Sequence, residues 1–245
     1  MAKRKRKRKK TTGSPSEGKA EPAAQAEVGV RDDVPALLPE PGIWDSVAAS
    51  LKEPSSAAWA LGFLALMVYV LSIQVPFVFD DAPVVTRNRM LWSWGGAWDL
   101  ARFMPTRWLS NLTFLVNFQL AHGGSAPQMP FEVRDWWSYH VVSMGLHALN
   151  GILLFHVVRG LLLARPGVVG KGAVHWVALI GAAIWVVHPT NTMAVSYIAQ
   201  RYALLSAAAI LTTVFFYVRL RTRMEREDLS PGDALGGYLG VVGCV

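Results

Sequence analysis

Residues 54–81 read PSSAAWALGFLALMVYVLSIQVPFVFDD, with no charged residue from Pro54 to Phe79 and two carboxylates, Asp80 and Asp81, directly after. About 20 apolar residues match ~30 Å of hydrocarbon, so this stretch predicts a membrane-crossing helix over about 57–75. Its acid pair then falls where the helix meets water. Such a pair is either a plain boundary or half of a site, and the bland reading holds at most helix ends. The rest of the chain decides between them.

The 245 residues are 52% hydrophobic, with ten tryptophans and a mean hydropathy of +0.29. The apolar residues come in blocks, which excludes an ordinary soluble domain. Further blocks predict spans over 138–163, 173–188 and 202–218, with a fifth starting from 234. The expected fold is therefore an all-α, multi-pass helical bundle. The net charge of +7 is misleading, because Lys3 to Lys10 hold eight of the 24 basic residues, leaving 16 against 17 acidic ones. Residues 1–40 read as a disordered basic and Pro/Ala-rich tail. Ahead of a membrane domain, its charge fits an anchor to anionic lipid or a topology signal; no nucleic-acid partner is expected. Within 41–53, Ile43, Trp44, Val47 and Leu51 recur at helical spacing, as in a helix at the membrane interface. A frayed linker is the equal alternative. A single cysteine permits no intrachain disulfide.

Loop charges orient the bundle. With a cytoplasmic N-terminus, Arg165 and Lys171 lie inside, as do Arg219, Arg221, Arg223 and Arg226, whereas the short opposite loop carries Arg201 alone. That asymmetry obeys the positive-inside rule. The orientation holds only if 107–120 is not a span, so the exterior loop 76–136 is expected to contain amphipathic surface helices broken at Pro105.

This topology gathers polar residues at one exterior edge: Asp80 and Asp81, Tyr139 and His140, His188, and Gln200 and Arg201. On the second span, His140, Ser143, His147 and Asn150 share one helical face. Ionisable groups within a bilayer face a bundle interior or a wet cavity. His147 and Asn150 are most simply interhelical hydrogen-bonding groups. No metal motif is present and no cofactor is implied by any motif. Paired acids can nevertheless hold a divalent cation, so that reading stays open.

Four segments, FVFDDAPVVTRN (77–88), TRWLSNLTFLVNF (106–118), WSYHVVSMGLHALNGILLF (137–155) and HPTNTMAVSYIAQRYALLS (188–206), occur in an order that carries a family resemblance. They resemble the N-terminal membrane half of GT-C-type glycosyltransferases that often bear C-terminal tetratricopeptide repeats. That group includes bacterial members and the eukaryotic O-mannosyltransferases acting on cadherins. The resemblance covers about 77–217, and HP-x-x-T-x-AV-x-YI-x-QR is its most specific piece. Ser143 and Met193 depart from the residues the family often has there.

The resemblance implies an inverting transfer of a sugar from a polyprenyl-phosphate carrier to a hydroxyl of a protein or glycan acceptor. It would occur outside the cytoplasm, in a bacterial inner membrane or the endoplasmic reticulum. Asp80 or Asp81 would be the general base. Arg201 would stabilise the phosphate leaving group, helped by His140, His188 and Gln200. Tyr139, His147, Asn150 and Arg107 would support the site. The apolar end of the sequence suggests a fragment of a longer protein. The rival expectations are a non-catalytic membrane scaffold or subunit, and a transporter whose pathway the His147–Asn150 stripe would line.

Overall fold

The computed structural model describes residues 42–123 and 133–225 and isolated positions between 232 and 239. The predicted tail over 1–40, residues 124–132 of the expected exterior loop and most of the expected fifth span lie outside the described residues. Eight α-helices and short 3₁₀ or π turns make up the ordered elements, with no strand among the described residues. The protein is an all-α membrane protein, as the sequence predicts. Among the described residues three segments are long and apolar enough to cross a bilayer: 54–74, 136–164 and 198–224.

Helix α1 (Ile43–Leu51) forms where the interfacial helix is expected, and none of its residues is buried. Ile43, Trp44 and Val47 stay exposed. Helix α2 (Pro54–Tyr69) starts on a proline, which suits the first helical turn because the N–H that proline lacks would have no intrahelical partner there. It tightens into a 3₁₀ turn over Val70–Gln74. Ala57, Leu61, Ala65 and Tyr69 form its buried stripe at i, i+4 spacing. Small side chains there let α2 approach its neighbours closely, which is how helices associate where the hydrophobic effect between them is weak.

Helix α5 (Val133–Ala164) packs against α2, α6 (Val174–Val187) and α8 (Arg201–Glu225). At one end, Ala57, Phe155 and Ala178 share a cluster, and His175 Nε2 lies 2.7 Å from the Leu51 carbonyl. At the other end, the Tyr69 hydroxyl donates to the His188 carbonyl. The four helices therefore alternate in direction.

Helix α6 is shorter than the expected 173–188 span. Its 14 residues rise ~21 Å, less than the ~30 Å of a bilayer core. The cause is Pro189. A residue before proline is pushed out of helical geometry, and His188 sits at φ −65°, ψ 130°.

Three polar side chains on α5 each reach a backbone carbonyl on a different element. His140 Nε2 lies 2.8 Å from Val75 O, just past the 3₁₀ turn of α2. His147 Nε2 lies 3.0 Å from Val186 O, in the last turn of α6. Asn150 Nδ2 donates to Leu204 O at 3.0 Å, in the first turn of α8. The last carbonyls of a helix have no intrahelical donor, so α5 supplies donors where α2 and α6 run out of them.

The segment between α2 and α5 folds over the end of the bundle. It holds a π turn (Ala82–Thr86), a 3₁₀ turn (Arg89–Trp92), α3 (Gly96–Phe103), a 3₁₀ turn (Pro105–Arg107) and α4 (Trp108–His122). The latter helix is not among the segments long and apolar enough to span. Its polarity is the reverse of a surface helix. Asn111, Asn117 and Gln119 face inward with Phe114, Leu115 and Phe118, while Leu109 and Leu120 are 63% and 78% exposed. The inward amides have partners: Gln119 Nε2 donates to Leu91 O at 2.6 Å, and Asn111 Oδ1 accepts from the Tyr202 hydroxyl at 2.7 Å.

Gly151 makes the α5–α6 approach possible, because a Cβ there would stand 2.5 Å from Val186 Cγ2. Gly151→Ala is expected to destabilise the bundle by ~1–3 kcal/mol through overpacking. A lowered thermal unfolding midpoint in detergent would register it; an unchanged midpoint would show that α6 is free to shift.

Candidate functional site

FVFDD and YIAQR are bonded to each other. Asp81 N–H donates to Val78 O at 3.0 Å, closing a tight turn. The Asp81 carboxylate is fully buried. Its Oδ2 accepts from Val78 N at 3.0 Å and its Oδ1 from Ala199 N at 2.7 Å, with Ile198 N–H a further donor. Asp81 thus caps the 3₁₀ turn Ile198–Gln200 that leads into α8, as a carboxylate at a helix start should. Next to it, Asp80 N–H donates to the Tyr197 hydroxyl at 2.9 Å.

The turn carries strain. Phe79 has φ +45°, an outlier for a bulky side chain, and its 86% exposed ring meets Tyr197 edge-on. The bonds of Asp81 and Asp80 on either strand of the turn hold that conformation in place. The consequence is a division of the acid pair: Asp81 points inward and is committed to backbone N–H groups, while Asp80 is exposed at the tip.

Asp80 lines a cleft of about 440 Å³ together with Arg107, Gln200, Tyr202 and Ser206. Arg107 ends the short turn before α4, and its guanidinium lies over the Tyr202 ring, 5.1 Å from the centroid. Tyr202 is itself fixed by Asn111. A carboxylate and a guanidinium therefore line one open space together with hydroxyl and amide groups. Such a space can take a proton from one part of a ligand and hold negative charge on another.

Of the residues singled out from sequence, Asp80, Gln200 and Arg107 meet in this cleft. Arg201 does not line it. Its side chain is fully buried, with Nη2 donating to Asn117 Oδ1 at 2.9 Å and to Tyr139 O at 3.0 Å. Its Nη1 reaches Thr113 O at 3.4 Å, and the guanidinium stacks over Phe114 at 4.3 Å. Arg201 therefore fastens α4 to α5 from the start of α8. His140 and Tyr139 are buried behind the cleft. His147 is stacked on Trp185 and, with Asn150, lies deeper in the bundle. His188 is exposed at the end of α6, where its Nδ1 accepts from Thr190 N at 3.3 Å, and it does not line the cleft.

Tyr202 and Ser206 were not singled out from sequence, although their i, i+4 spacing behind Gln200 places them on one face of α8. Among the described residues no group of three or more His, Cys, Asp or Glu side chains is arranged to hold a metal ion. The paired-acid cation reading also loses a ligand, since both Asp81 oxygens accept from the backbone.

The fold and cleft define a class, an all-α membrane protein with a polar cleft at one end of its bundle. Against that background the chain is similar to three animal proteins. It is 29% identical over 181 residues to the mouse protein O-mannosyl-transferase TMTC4, covering 67% of this chain and 23% of the relative. It is 29% identical over 182 residues to the Drosophila melanogaster protein O-mannosyl-transferase Tmtc1, covering 68% and 18%. The human TMTC4 is 27% identical over 191 residues, covering 71% and 24%. The chain thus spans about a quarter or less of the length of these curated relatives. No family model matches it, and no solved structure does.

Burial raises the pKa of Asp81 above the usual carboxylate range; N–H bonds from Val78, Ala199 and Ile198 oppose the rise and neighbouring Asp80 adds to it. A carboxylate whose folded pKa exceeds its unfolded value adds stability at low pH and loses it as pH rises through the folded value. This component of thermal stability should therefore fall as pH rises from the ordinary carboxylate value of about 4 through the raised one. The Asp81→Asn variant is expected to lose that component of the slope. It should also be less stable throughout by ~0.5–2 kcal/mol, the usual cost of a lost cap, because its amide turns N–H against a backbone N–H. Parallel pH profiles for the two proteins would remove Asp81 from this role.

Proposed function

We propose that the chain is the membrane-embedded part of a glycosyltransferase that moves a sugar from a polyprenyl-phosphate carrier to an acceptor hydroxyl on the non-cytoplasmic face. The sugar suggested by the names of its relatives is mannose, and the acceptor is a protein. The observation that carries the reading is that Asp80 and Arg107 line one open cleft.

In this reading the acceptor hydroxyl attacks the anomeric carbon and passes its proton to Asp80. The bond from that carbon to the phosphate oxygen breaks, and polyprenyl phosphate leaves with the electron pair. The configuration inverts because attack and departure occur on opposite faces. Arg107 meets the phosphate charge as it develops, in a stacked position that keeps its planar fork oriented. Gln200, Tyr202 and Ser206 offer hydrogen bonds to sugar hydroxyls. Asp81 acts on the reaction only through the turn that presents Asp80. Arg201 acts on it through α4, which carries Arg107.

The rival readings draw less support. A transporter pathway along α5 would want a continuous open channel, yet His140, His147 and Asn150 are buried and each fastens a neighbouring backbone carbonyl with one of its polar atoms. A pure scaffold would account for Asp81 and Arg201, whose partners are all internal, but gives no reason for an exposed acid and base to share the cleft.

Two experiments test the proposal. With a polyprenyl-phosphate mannose donor and the intact protein in membranes, Asp80→Asn is expected to lower the transfer rate by ~10²–10⁴, the typical worth of a general base. Arg107→Ala should lower it as well, with both proteins still inserted; wild-type rates in both would end the reading. For orientation, the N-terminus is taken as cytoplasmic, its basic tail against anionic lipid. Val168 lies exposed in the α5–α6 connection, beside Gly167, whose φ of +103° rules out that position itself for substitution. A Val168→Cys protein whose native cysteine is replaced by Cys244→Ser should react with an impermeant maleimide only after the membrane is opened. Labelling of sealed cells would invert the topology.

A further inference from the structure

The outward face of α4 and the first turns of α5 enclose a groove that shares no lining residue with the Asp80 cleft. It consists of two adjoining cavities of about 440 Å³ and about 330 Å³, both bordered by Asn117, Leu120 and Val142. Leu109, Leu112 and Val116 extend it along α4. Its α5 wall lies within the segment 136–164 that is apolar enough to span a bilayer, so a lipid chain has direct access.

The polar residues of the groove are Thr113, Asn117 and Ser138. Thr113 and Asn117 are also the residues that bond Arg201 from α4. Behind them, Arg201 has only neutral acceptors and aromatic faces around it, and its buried Nε has no partner. A buried guanidinium without a carboxylate is costly unless an anion comes near it. An apolar trough with an uncompensated positive charge beneath its polar wall suits one kind of ligand.

We propose that this groove binds an anionic glycerophospholipid of the surrounding bilayer, one acyl chain along Leu109, Leu112 and Val116 and the phosphate against the Asn117 amide and Ser138, near Arg201. The site is separate from the Asp80 cleft and stands whether or not that cleft transfers sugar. The bilayer is the source because the groove opens where α5 enters it, and charge supplies the choice among its lipids.

Removing Arg201 would unfasten α4, so the test places a charge beside it instead. Asn117→Asp keeps the shape of the side chain and gives the guanidinium an internal carboxylate. The full chain is purified and exposed to equal amounts of dioleoyl phosphatidylglycerol and dioleoyl phosphatidylcholine, and retained lipid is read by native mass spectrometry. The wild type should retain phosphatidylglycerol in preference. Asn117→Asp should lose that preference while its unfolding midpoint rises, and Val142→Trp, which fills the trough, should lose both lipids. An unchanged preference in Asn117→Asp, or no lipid retained by the wild type, overturns the proposal. Displacement of phosphatidylglycerol by an equal amount of polyprenyl phosphate overturns it too, by making the groove the carrier's.

Discussion

A helix that ends within or near hydrocarbon leaves carbonyl groups that water cannot reach, and each must find a donor or raise the energy of the whole fold. In this protein α5 is the donor for its neighbours. His140 serves the end of α2, His147 the last turn of α6, and Asn150 the first turn of α8. Each such bond contributes on the order of 0.6 kcal/mol in a membrane, so their value lies in geometry more than in energy. Three helices are set in depth and rotation against one face of a fourth. The close contacts at Gly151 and Gly160, where a Cβ would collide with Val186 and Val218, follow from the same registration.

That registration explains how the acid pair can have two roles. Because α2 and α8 are both referenced to α5, the chain leaving α2 meets the turn entering α8 at a fixed distance. Asp81 closes the gap by accepting N–H groups from Val78, Ala199 and Ile198. The neighbouring residue is then turned outward by a backbone that Phe79 adopts only under constraint. Asp80 owes its exposure to the burial of Asp81. One carboxylate builds the turn and the other uses it.

Much of the architecture was legible in the residues. Uncharged blocks marked spans over about 57–75, 138–163 and 202–218, close to the apolar helical segments 54–74, 136–164 and 198–224, because crossing a bilayer demands length and apolarity together. The shared face of His140, His147 and Asn150 was legible from helical spacing alone. Two features were not. The positions of Arg201 and Arg107 depend on how the segment 82–123 folds back, which no local period encodes. Arg201, at the start of a span, looked like an edge cation; α4 covers it. Arg107, apparently a loop residue, is carried to the cleft by the same motion of the chain. The inward amides of α4 were equally hidden, since an Asn on a moderately apolar helix reads as its wet face until a buried partner is known.

Burying Arg201 is the least economical feature of the fold, and it clarifies what α4 is for. A Leu there would seal the helix junction without desolvating a charge. The guanidinium instead joins Thr113 and Asn117 on α4 to Tyr139 on α5 through a rigid fork that fixes direction as well as distance. Since Arg107 stands six residues before Thr113 on the same short segment, its position over Tyr202 is inherited from that lock. An exposed cation held by a buried one is steadier than an exposed side chain alone, and a cleft that must meet charge at a set place requires that steadiness. The same arrangement leaves a positive charge beneath the apolar face of α4, so the residue that steadies the cleft creates an attraction for anions in the separate groove.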